Sequence, residues 1–414
     1  MDIIISSMYF YPEMTGIGVY SYDFAKFLVS KGHNVKVMTS FPFYPQWKKF
    51  DGYPSRAFFK ESISGIDVFR CWTYVPQSPG SLKRILHELV YSLLSFIKMM
   101  SIINGDLLIC VSPPFFSLVT TSLFCKLKRV PLHIHIQDLQ PAAAIELGMI
   151  RNKKLIKILG TLERFSYNSA ALISSIGKDM NENLRKRGVE DNKLLLFSNW
   201  VNLSDENIVA SDPVSFRNKY SLTNKFVVLY SGNIGEKQGV QTLLETACIA
   251  QKEDESITFL IAGDGVQKQN IQERAKALKL QNIIFLEVQP KEEFCNMLAS
   301  SDAALVMLRK EVKEIAIPSR LLNILAFGVP LIASVNKESE TAKIISCLPQ
   351  QVLVSPEDSN ELFKRIIFFK ENLTWLDSLR CAEKRLASEL FDRTKVLSEM
   401  LRELESRYKK NSLN

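Results

Sequence analysis

The chain repeats one rhythm twice: a short β-rich run, then a longer stretch with helical apolar spacing. IIIS, NVKVMTS, DLLICVS, PLHIHIQD and ALISSI form the first series of runs. VYSYDFAKFLVSKG, LKRILHELVYSLLSFIKMM and KLIKILGTLERFSYNSA are helical patterns between them. A second series, KFVVLYSG, ITFLIAGDG, IIFLE, AALVML, PLIASV and QVLVS, begins near residue 226. Strands alternating with helices predict an α/β chain with parallel sheets covered on both faces. At 414 residues the chain exceeds one typical core and suits two domains. The polar, turn-rich stretch from Val201 to about Pro213 is the expected linker. The expected domains are 1–205 and 206–392, both Rossmann-like. A charged helix from about Arg393 either returns to the first domain or caps the second. Two such domains are expected to face a cleft with their strand C-terminal ends, where ligands bind.

Composition narrows the function classes. Apolar residues make up 46% and charged residues 23%, an ordinary soluble composition. Seven cysteines without CxxC pairs read as reduced thiols in a cytosolic protein, and no histidine has metal-ligand spacing. MDIIISSMYF lacks a basic leader and reads as a buried strand. The net charge of +8 gathers in the first half, at Lys83-Arg84, Lys126 to Arg129, Arg151 to Lys157 and Arg185 to Arg187. Such clusters suit an anionic substrate or membrane surface, nucleic acid, or plain solvation. LHELVYSLLSFIKMMSII is apolar but interrupted by His87, Glu88 and Lys98, which argues against a membrane span. It reads as a buried helix or as an interfacial one with Lys83 and Arg84 at the headgroups.

Five stretches carry chemistry. In YPEMTGIGVYSYDF, Gly16 and Gly18 turn a strand into a helix; glycines admit a ligand to backbone amides, and a helix N-terminus favours an anion. In YSGNIGEKQGVQTLLETA, Gly232, Gly235 and Gly239 surround Lys237, a combination that fits a diphosphate. Its spacing is neither the P-loop nor the dinucleotide fingerprint, which argues against a kinase, an ATPase or an ordinary dehydrogenase. FLIAGDG places Gly263 and Asp264 in another strand-to-helix turn. In IAIPSRLLNILAFGVPLIASV, Pro318 and Ser319 start a helix that Gly328 and Pro330 stop. Arg320 sits in its first turn, where a cation opposes the helix dipole and points to an anion beside it. In LHIHIQDLQPAAAIELG, His133, His135 and Gln137 share one strand face, and Asp138 ends the strand.

Together these stretches resemble glycosyltransferase family four, in the branch of colanic acid, capsule and O-antigen enzymes, across nearly the whole chain. The resemblance implies a GT-B fold: two Rossmann-like domains with parallel sheets facing a central cleft. It implies a retaining transfer of a sugar from a nucleotide-diphosphate donor, bound by the second domain, to an acceptor bound by the first. That acceptor is often a lipid-linked oligosaccharide at the cytoplasmic face of the inner membrane. No metal, other cofactor or nucleic acid is implied, and no DxD triplet occurs. Carried over by position, Gly16 and Gly18 match the family's N-terminal glycine loop. Lys237 falls in the diphosphate region. Asn233 stands where the family has an arginine, and Gln238 where it has a lysine, so Lys237 and Arg320 are the expected cations. Gly232, Gly263, Pro318, Ser319, Leu322 and Asn323 complete the expected donor contacts. Asn323 replaces the second of the family's paired glutamates; the first falls at Ile315, beside Glu314. The family's His-Asp pair is Gln137-Asp138 here, with His135 two residues earlier as a substitute. Glu340 occupies a loop toward the nucleotide. The expected catalytic set is therefore Asp138, His135, Lys237 and Arg320. A sugar-nucleotide 2-epimerase or a non-catalytic scaffold of the same architecture remain the competing readings.

Overall fold

The computed structural model describes residues 1–13, 16–78, 80–101, 105–140, 152–203, 212–312 and 317–408. The chain divides into two compact units, Met1–Asn199 with Val396–Asn414, and Trp200–Lys395.

The first unit carries β1 (Asp2–Ser6), α1 (Ile17–Ser30), β2 (Asn34–Ser40), β3 (Phe58–Ile63), β4 (Ile66–Cys71), α2 (Ser81–Ser101) and β5 (Leu107–Ser112). α3 (Phe115–Lys128), β6 (Leu132–Ile136), α4 (Lys153–Ser169), β7 (Leu172–Ser175), α5 (Lys178–Lys186) and β8 (Leu194–Leu196) follow. Its sheet runs β3-β4-β2-β1-β5-β6-β7-β8. All neighbours are parallel except β3 and β4, which form an antiparallel hairpin at one edge. The inner strands are continuous apolar runs, as burial on both faces demands: every residue of β5 and β6 is buried. Asn152 caps α4 by accepting the Lys154 and Leu155 N–H groups.

The second unit carries α6 (Pro213–Lys219), β9 (Phe226–Ser231), α7 (Val240–Glu253), β10 (Ile257–Ala262), α8 (Lys268–Ala277), β11 (Ile283–Leu286), α9 (Lys291–Ala299) and β12 (Ala303–Met307). Then come α10 (Ser319–Phe327), β13 (Leu331–Ser334), α11 (Glu340–Ile344), β14 (Leu353–Val354), α12 (Ser359–Glu371) and α13 (Leu373–Phe391). Its wholly parallel sheet runs β11-β10-β9-β12-β13-β14. Asp212 caps α6 through the Ser215 N–H at 2.8 Å, with Pro213 at the first helical position.

In each unit the first strand sits centrally and the chain builds outward to one side, then to the other. The switch points therefore lie between β1 and β5 and between β9 and β12, where doubly wound sheets bind ligands. The final helix, α14 (Arg393–Tyr408), joins the first unit from Val396 on; Glu405 stands 3.5 Å from His33, and Leu397 and Leu404 are fully buried. The β3–β4 hairpin and β8 go beyond the sequence reading. The hairpin's mark was Ser64-Gly65, both at positive φ, the chemistry of a two-residue turn.

Candidate functional site

In the second unit, the loops after β9 and β10 run on past their strands as paired backbone. Gly232 N–H donates to the Ala262 carbonyl at 2.9 Å, and Ile234 N–H to the Asp264 carbonyl at 2.8 Å. This approach needs glycine. A Cβ on Gly263 would lie 2.0 Å from the Gly232 carbonyl oxygen, and one on Gly265 2.4 Å from that of Ile234. The GDG turn thus serves close backbone contact.

Gly232 leaves its other side open to Arg320. A Cβ there would meet the guanidinium carbon at 3.0 Å. Arg320 stands in the first turn of α10, with its guanidinium 4.8 Å above the centre of the Tyr230 ring. Tyr230 is anchored beneath it, donating its hydroxyl to the Asn233 carbonyl at 2.6 Å. Nη1 of Arg320 is buried and has no hydrogen-bond partner. A half-buried cation with one buried, unfilled donor, at a helix N-terminus that no side chain caps, can receive an anion. Pro318 and Ser319 lead into that turn. Asn323 is half-buried one turn on, while Leu322 packs into the core. Gly328, at φ 63°, ends the helix.

Lys237 is exposed in a short 3-10 turn, and its carbonyl accepts the Arg309 N–H at 2.8 Å. Gln238 points its Oε1 into the protein, where it finds no partner. Gly239, at φ 61°, starts α7. Glu340 is buried as the first residue of α11, a helix that Ser339 caps through the Ala342 N–H. Glu314 and Ile315 lie outside the described residues.

In the first unit, β6 carries a buried polar relay. Gln137 Nε2 donates to His135 Nε2 at 2.9 Å, and His135 Nδ1 meets the Ser174 hydroxyl at 2.9 Å. That hydroxyl also meets His133 Nε2 at 2.8 Å, while Gln137 and Asn199 exchange both amide bonds. Burial pushes both imidazoles down to about 3, so they are neutral at ordinary pH. Asp138 is exposed just past the strand.

The turn after β1 holds Gly16, at φ 59°, and Gly18, where a Cβ would lie 3.0 Å from the Glu13 carbonyl oxygen. Beside them stands Glu13, absent from the expected set. The residue is 2% exposed, and its Oε1 accepts the Phe43 and Tyr44 N–H groups at 2.8 and 2.9 Å. Oε2 is buried without a partner. Burial raises its pKa to about 7 against the pull of those N–H groups and Arg70. Glu13 thereby clips the loop after β2 to the glycine turn. The sequence carried no signal for it, since a lone acid before a glycine turn reads the same buried or solvated.

Comparison with known proteins fits both halves. Residues 15–200 match the glycosyl transferase 4-like domain, and residues 214–383 match glycosyl transferases group 1. The chain is 29% identical over 412 residues to WcaI of Escherichia coli (strain K12), whose name places it among colanic acid biosynthesis glycosyl transferases; the match covers 98% of this chain and 100% of WcaI. Among solved structures, Anabaena HepE in complex with UDP superposes with a TM-score of 0.71 at 16% identity, covering 98% of this chain and 100% of HepE. Sucrose-phosphate synthase from Thermosynechococcus elongatus gives 0.75 at 15% identity, over 98% and 99%. Two family profiles in tandem, a relative matched end to end, and one fold shared along the whole length lead to the same place: the chain belongs to glycosyltransferase family four and has the GT-B fold.

Proposed function

We propose that the chain transfers a sugar, with retention of configuration, from a nucleotide-diphosphate donor to a lipid-linked saccharide in bacterial surface polysaccharide synthesis. Arg320 carries the reading: a half-buried guanidinium with one buried, unfilled donor, held by a tyrosine ring against a side-chain-free backbone at a switch point. The second unit binds the donor, its diphosphate beside Gly232, Arg320 and the first amides of α10, with exposed Lys237 as a second cation. HepE, which has the same fold, was solved with UDP and with UDP-glucose. WcaI bears the name of a polysaccharide enzyme.

Transfer is a front-face substitution. The acceptor oxygen bonds to the anomeric carbon as the bond to the diphosphate oxygen breaks, and that oxygen takes the acceptor's proton. Negative charge grows on the diphosphate, so Arg320 and the helix amides bind the transition state more strongly than the ground state; one such preorganised donor is worth about 3–4 kcal/mol. These protein cations fill the role of a metal. Exposed Asp138 orients the sugar or the acceptor by hydrogen bonding, while buried His135, with both ring nitrogens bonded to Gln137 and Ser174, holds Gln137 in place beneath it.

α2 supports an acceptor held at an anionic inner-membrane surface. Leu82, Leu86, Leu93 and Ile97 are exposed at helical spacing. Lys83, Arg84, Lys126 and Lys128 stand along α2 and α3, whose one acid, Glu88, is half-buried and accepts from Gln140. No described helix is long and apolar enough to cross a membrane.

Soaking crystals with UDP or GDP tests the reading. Density beside the Gly232 and Pro318 turns supports it; density elsewhere, or none at saturating nucleotide, refutes it. Incubation with labelled nucleotide sugars and membrane extract then separates glycolipid product from a free epimer or no reaction.

A further inference from the structure

The loops after β2 and β4 line an open pocket of about 800 Å³ within the first unit. Its walls hold Trp47, Trp72 and Tyr74 together with Lys48, Lys49 and Arg56, and no acid lines it. Trp72 is 45% exposed, unusual for a ring of that size. The cations are placed by the loop itself. Lys49 donates to the Tyr53 carbonyl at 3.0 Å and the Ser55 hydroxyl at 3.3 Å, and Arg56 lies 5.0 Å over the Phe59 ring. None of the three cations forms an ion pair with a described carboxylate. Arg84 packs 5.1 Å over the Trp47 ring, adding positive charge behind the wall. The cavity stands at the C-terminal ends of β2 and β4, the end of the sheet where the Gly16 turn lies. Glu13 fixes its loop through the Phe43 and Tyr44 N–H groups.

Flat aromatic faces suit the apolar face of a sugar ring, and converging lysine and arginine suit phosphate oxygens. The volume is that of a compact ligand site, too small for a polymer and too large for an ion alone. We propose that this pocket seats the sugar diphosphate at the reducing end of the acceptor, the ring against Trp47 and Trp72 and the phosphates on Lys48, Lys49 and Arg56. The assignment rests on the transfer reading above and adds to it the chemical class of the acceptor and its seat.

Both a lipid-linked acceptor and a nucleotide donor carry a sugar diphosphate, so the test separates them. Tryptophan fluorescence of the full chain is titrated with farnesyl diphosphate-linked N-acetylglucosamine, and with free N-acetylglucosamine, pyrophosphate and UDP-glucose. The conjugate should change the emission and bind more tightly than either of its halves, with or without saturating UDP. Lys49→Ala and Arg56→Ala should each weaken it on the order of tenfold, the loss of one charge-assisted bond, while leaving the UDP-induced rise in Tm intact. Unaltered affinity in both variants, equal affinity for pyrophosphate alone, or displacement by UDP overturns the assignment. A UDP-induced rise in Tm alongside no response to the conjugate sinks the pocket alone. No response to UDP or UDP-glucose sinks the transfer reading, and the conjugate titration still decides the pocket.

Discussion

The turns after β1 and after β9 occupy the same slot in two copies of one architecture, yet they carry opposite charge. The first holds a buried carboxylate, Glu13, against Gly18. The second holds a half-buried guanidinium, Arg320, against Gly232. At Gly232 the missing side chain lets the guanidinium itself press on backbone, whereas at Gly18 it lets the Glu13 backbone close in while the carboxyl turns to the Phe43 and Tyr44 N–H groups; in each, one polar atom is left without a partner. The fold supplies the position, and the charge decides what comes to it: donors of hydrogen bonds at the first turn and, under the proposed function, a diphosphate at the second.

Removing the second charge should have the largest effect. Arg320→Ala is expected to lower turnover by about 10²–10³-fold, the loss of one preorganised donor, with Tm unchanged. An equal loss in a Glu13 variant of unaltered stability would break the contrast. Gly263→Ala forces a methyl group to 2.0 Å from the Gly232 carbonyl and should cost about 2–4 kcal/mol of unfolding free energy in a denaturant titration. Glu13→Ala strips two N–H groups of their acceptor and should cost about 1–3 kcal/mol, most of it recovered in Glu13→Gln. Lys237→Ala, at an exposed position, should reduce turnover by only about tenfold, since a surface cation is screened by solvent and salt.

Glu383 gives the smallest effect and the sharpest control. Like Glu13 it is buried, with Oε1 accepting a backbone N–H, from Leu331 at 2.8 Å, and Oε2 unpartnered. It lies on α13, at the N-terminal end of β13 and so away from the switch points at the strands' C-terminal ends. Burial pushes its pKa from 4.5 to about 8. The unfolded chain loses that proton near 4.5 while the folded chain keeps it to about 8, so the group's contribution to stability falls as pH rises through that window. In Glu383→Gln the decline disappears. The Tm of the variant relative to the parent should climb between about pH 5 and pH 8, with turnover unaltered. A loss of turnover would show that a buried carboxyl matters wherever it sits, not through its place at a switch point.

Much of the fold was legible because continuous apolar runs such as LLICVS and ITFLIA have only one comfortable home, a parallel sheet covered on both sides. Arg320 was legible for a related reason: a cation in the first turn of a helix contradicts the dipole and asks for an explanation. Glu13 was not, since nothing in YPEMTG tells a buried acid from a solvated one. Its partners, Phe43 and Tyr44, lie thirty and thirty-one residues away. The aromatic cavity was hidden with it. Its walls are loops flanking the β3–β4 hairpin, and FFKESI, charged and half-exposed, offers a weak edge-strand pattern. His133 and His135 were visible as a pair on one face, but the serine that binds them comes from a neighbouring strand.

The passage of the chain through Val201 and Phe391 has a practical consequence. Val201 N–H donates to the Phe391 carbonyl at 2.9 Å, and Arg393 N–H returns to the Val201 carbonyl at 3.1 Å. Entry and exit of the Trp200–Lys395 segment are thus fastened side by side, as in an inserted cassette. One continuous stretch of gene, cut at two neighbouring points, should be exchangeable with that of a relative, and on the proposed donor role of this unit the exchange should import that relative's sugar-nucleotide preference.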